Sequence, residues 1–168
     1  MAKMPKAAVI MGSDSDFPVV KKCIVMLKKF GIEADVRVIS AHRTPETAAT
    51  YAKEAEQEGI DIIIAAAGKA AHLGGVLAAF TTLPVIGIPM KSSTLDGLDS
   101  LLSMVQMPKG IPVATVAVDG AENAGILAAQ ILALKYDQIV PLLKQYKEDM
   151  AAEVAAKDQA LQAEVAAL

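Results

Sequence analysis

Three short segments concentrate the side chains able to do chemistry. The run Ser40-Ala41-His42-Arg43-Thr44-Pro45 joins a proton-transfer group, a fixed positive charge and hydroxyls, and His42 is one of only two histidines in the chain. An imidazole titrates near working pH and can both take and give a proton. Arg43 offers a planar fork of donors suited to phosphate or carboxylate. The second segment, Met11-Gly12-Ser13-Asp14-Ser15-Asp16, places a glycine for a tight turn ahead of hydroxyls and carboxylates. A helix start there presents unpaired N–H groups that cradle an anion, yet Asp14 and Asp16 would repel a phosphate set against them. One of them suits the hydroxyls of a ribose diol better. Read alone, this loop does no more than cap a helix through Ser15 and Asp16. The third segment, Ala67-Gly68-Lys69-Ala70-Ala71-His72-Leu73-Gly74-Gly75, is built of small residues that let backbone approach a flat ring closely. Its histidine, His72, reads as structural rather than catalytic. Neither histidine has a partner at metal-ligand spacing, so no metal site is expected. A small anionic substrate is the chemistry these segments share.

Positioning them requires strands that end at one edge. Apolar runs bounded by turn residues alternate with helix-period segments, the pattern of repeated βαβ units. Five strands are predicted, at Ala7 to Met11, Ala34 to Ile39, Ile60 to Ala66, Pro84 to Ile88 and Val113 to Val118. They lack polar alternation, as strands covered on both faces do. Asp16 with Pro18, and Thr44 with Pro45, mark helix starts, and Gly31 and Gly59 mark the stops. The fold class that follows is α/β, a single flavodoxin-like, doubly wound parallel sheet. In that order the second strand lies beside the first, so the His42 and Ser13 loops open onto the same edge. The fourth strand leads through Pro89-Met90-Lys91-Ser92-Ser93-Thr94-Leu95-Asp96-Gly97, a polar stretch that could cover a pocket but reads first as ordinary connection.

Beyond Leu134 the pattern becomes a long helical tail in which Ile139, Leu143, Tyr146, Met150, Val154, Leu161, Val165 and Leu168 form one stripe, interrupted by Lys157. The chain therefore divides into a catalytic core over residues 1–134 and a helical extension over 135–168 that docks on a neighbouring subunit.

Composition narrows the function. A length of 168 residues lets about 70% of the unfolded surface be buried, enough for one self-sufficient domain. Net charge is −3 with acids and bases interspersed, which lacks the basic field that nucleic-acid binding requires. No apolar run approaches membrane-spanning length and no signal segment opens the chain, so a cytoplasmic protein is expected. Hydrophobic residues make up 54% while aromatics are 4%, an excess of small apolar side chains suited to closely packed helices and subunit contacts. The single cysteine, Cys23, reads as a buried small hydrophobe.

Other users of this sheet fit less well. A phosphoacceptor receiver domain needs an aspartate ending the third strand, where this chain has Ala65-Ala66-Ala67-Gly68. A flavin-binding flavodoxin stacks aromatics on its ring, and none falls in the three loops.

Within the three segments, Gly12 to Asp16, Ser40 to Pro45 and Ala67 to Leu73, together with Asp99-Ser100-Leu101-Leu102-Ser103-Met104-Val105-Gln106-Met107-Pro108, closely resemble the catalytic subunit of purine-pathway aminoimidazole ribonucleotide carboxylase. The likeness runs from about Lys6 to Leu134 and is nearer to the class I form, the N5-carboxyaminoimidazole ribonucleotide mutases. It implies an isomerase that moves a carboxyl group from an exocyclic nitrogen to a ring carbon of the imidazole, giving 4-carboxy-5-aminoimidazole ribonucleotide. It further implies a homo-octamer, a ribonucleotide substrate, and no metal, flavin or ATP. On this resemblance His42 is the general acid–base. Ser13 and Asp16 bind substrate, with Asp16 on ribose hydroxyls, and Arg43 with Ser40 lies near the phosphate. Gly68, Ala70 and Leu73 belong to the loop that shapes the imidazole and carbon dioxide pocket.

Three positions depart from the family pattern: Lys69 stands where glycine is usual, Gly74 replaces a proline, and Asp119-Gly120-Ala121-Glu122-Asn123 is shorter than usual. The rival readings are a class II enzyme that carboxylates aminoimidazole ribonucleotide directly with carbon dioxide, the related domain of a nickel-cofactor carboxylase, whose long amino-terminal extension is absent here, and a noncatalytic nucleotide-binding assembly protein. Arg43 and the Ala-Ala-His-Leu run at 70–73 resemble class I more than class II.

Overall fold

The computed structural model describes residues 4–168, so the expected direct entry into the first strand lies, for Met1 to Lys3, outside the described residues. Five parallel strands, β1 (Lys6–Met11), β2 (Glu33–Val38), β3 (Ile62–Ala67), β4 (Val85–Pro89) and β5 (Ala114–Thr115), form one sheet in the order β2-β1-β3-β4-β5. The helices are α1 (Phe17–Lys29), α2 (Pro45–Glu54), α3 (Leu73–Phe80), α4 (Leu98–Val105), α5 (Ala121–Leu132) and α6 (Ile139–Ala166). This is the doubly wound, flavodoxin-like architecture that the alternating pattern predicts.

Period-two alternation divides the central strands between two cores. Val9, Met11, Ile62 and Ile64 face α1 and α5, while Ala8, Ile10, Ile63 and Ala65 face α2 and α3. Val9 stands opposite Ile64, and Ile64 opposite Ile86, so branched side chains stack across the sheet. All of these are essentially fully buried, and truncating one such isoleucine to alanine costs about 2–5 kcal/mol. Small residues bring the helices close: a Cβ on Gly125 of α5 would lie 2.8 Å from Met26 Cβ and 3.0 Å from the Cys23 carbonyl oxygen of α1. Cys23 is buried at that contact, and burial pushes its thiol up to about 12, which keeps it inert.

The edges differ from the expectation of uniformly covered strands. On the outer strand β2, Asp35 accepts hydrogen bonds from Arg37 Nε at 3.0 Å and Tyr51 Oη at 2.8 Å, charges and polar groups that blunt an edge. β5 spans two residues rather than the expected Val113 to Val118. Pro112 offers no N–H before it, and a turn in which Gly120 N–H donates to Ala117 O at 2.8 Å diverts the chain after it. Among the described residues, backbone hydrogen bonds to β4 continue through Val116 N–H to Gly87 O and Asp119 N–H to Pro89 O.

The cap signals also act differently. Gly31 and Gly59 do end their segments with φ of +69° and +80°. Asp16 and Thr44 precede α1 and α2 without a side-chain capping bond. Ser13 instead caps a 3-10 turn at Asp14–Asp16 by accepting from Ser15 N–H at 3.3 Å.

At the amino ends of the strands the Asp61 carboxylate, whose side chain is 5% exposed, accepts from Lys135 Nζ at 2.8 Å, Tyr136 Oη at 2.9 Å and Lys6 N–H at 3.1 Å. Burial alone would raise its pKa, but these donors outweigh burial and hold the carboxyl below its usual range. The network ties β1, β3 and the segment between α5 and α6 together. In α6, Ile139, Leu143 and Tyr146 pack on the α1 side of the core, with Tyr146 edge-on to Phe30 at 5.7 Å. From Lys147 onward every residue is exposed, including Met150, Val154, Leu161 and Val165 of the stripe. Among the described residues no helix is long and apolar enough to cross a membrane.

Candidate active site

Strand order fixes where the chemistry sits. The first two crossovers run in opposite directions from β1, and the crevice between the diverging loops opens outside the carboxyl ends of the strands. There Gly12 N–H donates to Ala66 O at 3.1 Å, locking the β1 loop to β3. The loops enclose a cleft of about 700 Å³, lined by Ser13, Asp16, Ser40, His42, Arg43, Gly68, Ala70 and Leu73. All eight residues singled out from the sequence are brought together. Among them Leu73 is buried, whereas His42, Arg43 and Ala70 are exposed.

The segment after β2 is closed upon itself. Thr44 Oγ1 donates to Ser40 O and accepts from Ser40 N–H, both at 3.0 Å, so the hydroxyl staples the loop instead of capping α2. Ser40 Oγ accepts from Arg43 N–H at 3.1 Å, and Arg43 Nη2 donates to Gly12 O at 3.3 Å. The guanidinium is thereby drawn over the end of β1, with donors left for an anion.

His72, read from the sequence as structural, lies in the cleft against His42. Its Nδ1 lies 2.9 Å from Nε2 of His42, with the rings edge-on at 84°. One nitrogen must donate and the other accept, so the contact fixes the tautomer of each ring with respect to the other. The histidines are thirty residues apart, on loops after β2 and β3, and no local pattern links them. Lys91, Ser92 and Ser93 after β4 also line the cleft, and the only sequence signal was the polar, Pro- and Gly-marked character of that stretch. Ser92 Oγ donates to Asp99 Oδ1 at 2.8 Å, while Lys91 Nζ pairs with Asp96 at 3.3 Å.

Asp16, half-buried at the cleft, has its pKa raised first by burial and then by repulsion from Asp119 and Asp14. Among the described residues none donates to its carboxylate, which suits ligand hydroxyls. Among the described residues the non-glycine residues with φ in the left-handed region are Lys69 (+56°), Asp96 (+52°) and Asp119 (+56°). They follow β3, β4 and β5 on this one rim, and such a conformation costs about 1–3 kcal/mol for a residue other than glycine. Gly74 is not demanded by space, since a Cβ there would make ordinary contacts beginning at 3.5 Å with Val113. No group of three or more His, Cys, Asp or Glu among the described residues is arranged to hold a metal ion.

An imidazole pair, an arginine fork, hydroxyls and two further cations around one cleft equip it to hold an anionic ligand and move a proton on it. Known proteins resemble the chain along most of its length. The chain is 57% identical over 159 residues to N5-carboxyaminoimidazole ribonucleotide mutase of Thermotoga maritima, covering 95% of this chain and 93% of the relative. It is 60% identical over 147 residues to the mutase of the same name from Pyrococcus abyssi, covering 88% and 84%. The crystal structure of Treponema denticola PurE superposes with a TM-score of 0.83 at 34% identity, covering 94% of this chain and 98% of that one. The family described as AIR carboxylase matches residues 6–153, which carries the likeness past Leu134 into α6, and the chain belongs to that family.

Proposed function

We propose that this chain is an N5-carboxyaminoimidazole ribonucleotide mutase, an isomerase of purine biosynthesis. The observation that carries the reading is the His42–His72 pair held at 2.9 Å within a cleft that also presents Arg43, Ser40 and Ser13. In the reaction the bond between the exocyclic nitrogen and the carboxyl carbon breaks, its electron pair stays on nitrogen, and nitrogen gains a proton. The ring carbon then attacks the released carbon dioxide and must lose its hydrogen before aromaticity returns. His42 supplies the proton that nitrogen gains and, as the base so formed, receives the proton from the ring carbon, so the proton balance is zero. His72 orients the His42 ring and accepts or supplies the shared proton.

Binding follows from the same loops. Arg43 and Ser40 take the phosphate, a charge-assisted contact. Ser13 and Asp16 take the ribose, and Gly68, Ala70 and Leu73 form the backbone-lined slot for the imidazole and carbon dioxide. No cofactor enters this scheme. The reading includes cytoplasmic location and a homo-octamer, in which residues 135–168 dock their exposed stripe on a neighbouring subunit while residues 1–134 carry catalysis. The exposure of α6 from Lys147 onward supports that docking, since an apolar stripe on a helix is stable when covered.

The test is to supply N5-carboxyaminoimidazole ribonucleotide and, separately, aminoimidazole ribonucleotide with dissolved carbon dioxide, and to follow the ring-carboxylated product. Efficient use of the first is expected. Preference for the second would make the chain a direct carboxylase, and binding without product from either would make it a noncatalytic nucleotide-binding protein.

A further inference from the structure

We propose that Lys69 holds the migrating carboxylate and sets the preference for carboxylated over uncarboxylated ribonucleotide; this rests on the carboxyl-transfer reading of the cleft. Three cations line the cleft, Arg43, Lys69 and Lys91. Two already have partners within the protein, and Arg43 keeps its remaining donors for the phosphate. Arg43 donates to Gly12 O and lies 3.5 Å from Ser40 Oγ, and Lys91 Nζ pairs with Asp96. Among the described residues the Lys69 ammonium has neither an ion pair nor a hydrogen bond. It is exposed at the cleft and available to a ligand.

Its position matches the reaction. The carbon that receives the carboxyl group is the one that yields its proton to His42, so the carboxyl must sit beside that ring. Lys69 stands three residues before His72, in a loop that the His42–His72 bond holds against the proton carrier. Arg43 belongs to the loop after β2, Lys69 to the loop after β3, and β1 lies between them. The ends of β2 and β3 lie two strand spacings apart, about 10 Å, and their loops meet across the end of β1 at the His42–His72 bond, which puts Arg43 and Lys69 on the two arms of one ligand cleft. The backbone is also informative: φ of +56° is a conformation that glycine adopts freely, and a lysine there brings a charge to a place where the backbone gains nothing from it. The substrate charge near Lys69 runs from carbamate through neutral carbon dioxide to ring carboxylate. A fixed ammonium stabilises both charged ends of that path.

Lys69→Asn removes the charge while keeping a side chain that tolerates the left-handed region, and Lys69→Arg keeps the charge. Dissociation constants of each variant would be measured by calorimetry for the ring-carboxylated product and for uncarboxylated aminoimidazole ribonucleotide. The asparagine variant is expected to bind the carboxylated ligand about tenfold more weakly and the uncarboxylated one within about twofold of the parent, with most of the loss restored by arginine. Equal weakening of both ligands, no change in either, or an arginine variant as weak as asparagine overturns the assignment. The measurement needs no turnover. A parent protein that discriminates through Lys69 yet fails to convert the carbamate would uphold this assignment and sink only the transfer reading.

Discussion

The two ends of the sheet treat charge in opposite ways. At the amino ends, Asp61 is nearly enclosed and takes three donors from Lys135, Tyr136 and the Lys6 backbone. At the carboxyl ends, among the described residues, Asp16 is half-buried with no donor and two carboxylates nearby, and Lys69 extends without a partner from a backbone that disfavours it. Stability is concentrated at the first end. At the second, the burial of Asp16 and the left-handed backbone at Lys69 cost folding energy, and both charges stay open to a ligand.

Breaking each end should therefore give different phenotypes. The largest effect belongs to His42→Asn, expected to lower kcat by about 10²- to 10⁴-fold while substrate dissociation constants stay near the parent's, because the ring is asked for proton transfer. His72→Asn should lower kcat by a smaller factor and reshape the pH profile, since the shared proton is lost but the acid–base group remains. Unchanged turnover in the His42 variant would remove it from the mechanism.

Asp61→Asn should do the reverse, destabilising the chain by about 1–3 kcal/mol in denaturant titration with kcat of the folded enzyme unaltered. The sign with pH is fixed: a carboxyl held below its usual range contributes stability above its unfolded pKa, near 4, and loses it as pH falls through the lower folded value. The variant should lack that acid-sensitive component, and an identical acid profile would break the assignment.

The smallest effect sharpens the contrast. Asp16 is raised, so its folded form holds a proton more readily, and stability is lost as pH rises from the ordinary value through the raised one. Asp16→Asn should raise the melting temperature at neutral pH by about 1–3 °C while increasing KM. A variant that is both less stable and a weaker binder would place Asp16 among the structural groups.

What the sequence revealed follows the range of the forces involved. The buried strands β1, β3 and β4 were legible because continuous apolar runs bounded by turns have few other uses, and the strand order followed from the βαβ alternation. Three site loops were legible because strand ends on one sheet edge must converge. The His42–His72 bond was not, since it joins residues related only by adjacent loops, and the Asp61 network spans more than seventy residues for the same reason. Thr44, just before Pro45, holds the usual position of a cap. Its hydroxyl found the Ser40 backbone instead, a competition between local acceptors that residue type does not decide. The left-handed Lys69 was invisible because lysine carries no preference for that region. The short β5 reflects a turn at Gly120 that hydrophobicity at Val116 and Val118 concealed.

Carboxyl transfer inside the cleft is tested most directly by label. N5-carboxyaminoimidazole ribonucleotide carrying ¹³C in its carboxyl group would be converted in a single turnover against an excess of unlabelled dissolved carbon dioxide, and the product read by mass. Retention of most of the label in the ring carboxylate is predicted, because carbon dioxide is recaptured beside His42 before it escapes. A product whose carboxyl matches the unlabelled pool would contradict transfer within the site and identify the enzyme as a carboxylase of free carbon dioxide.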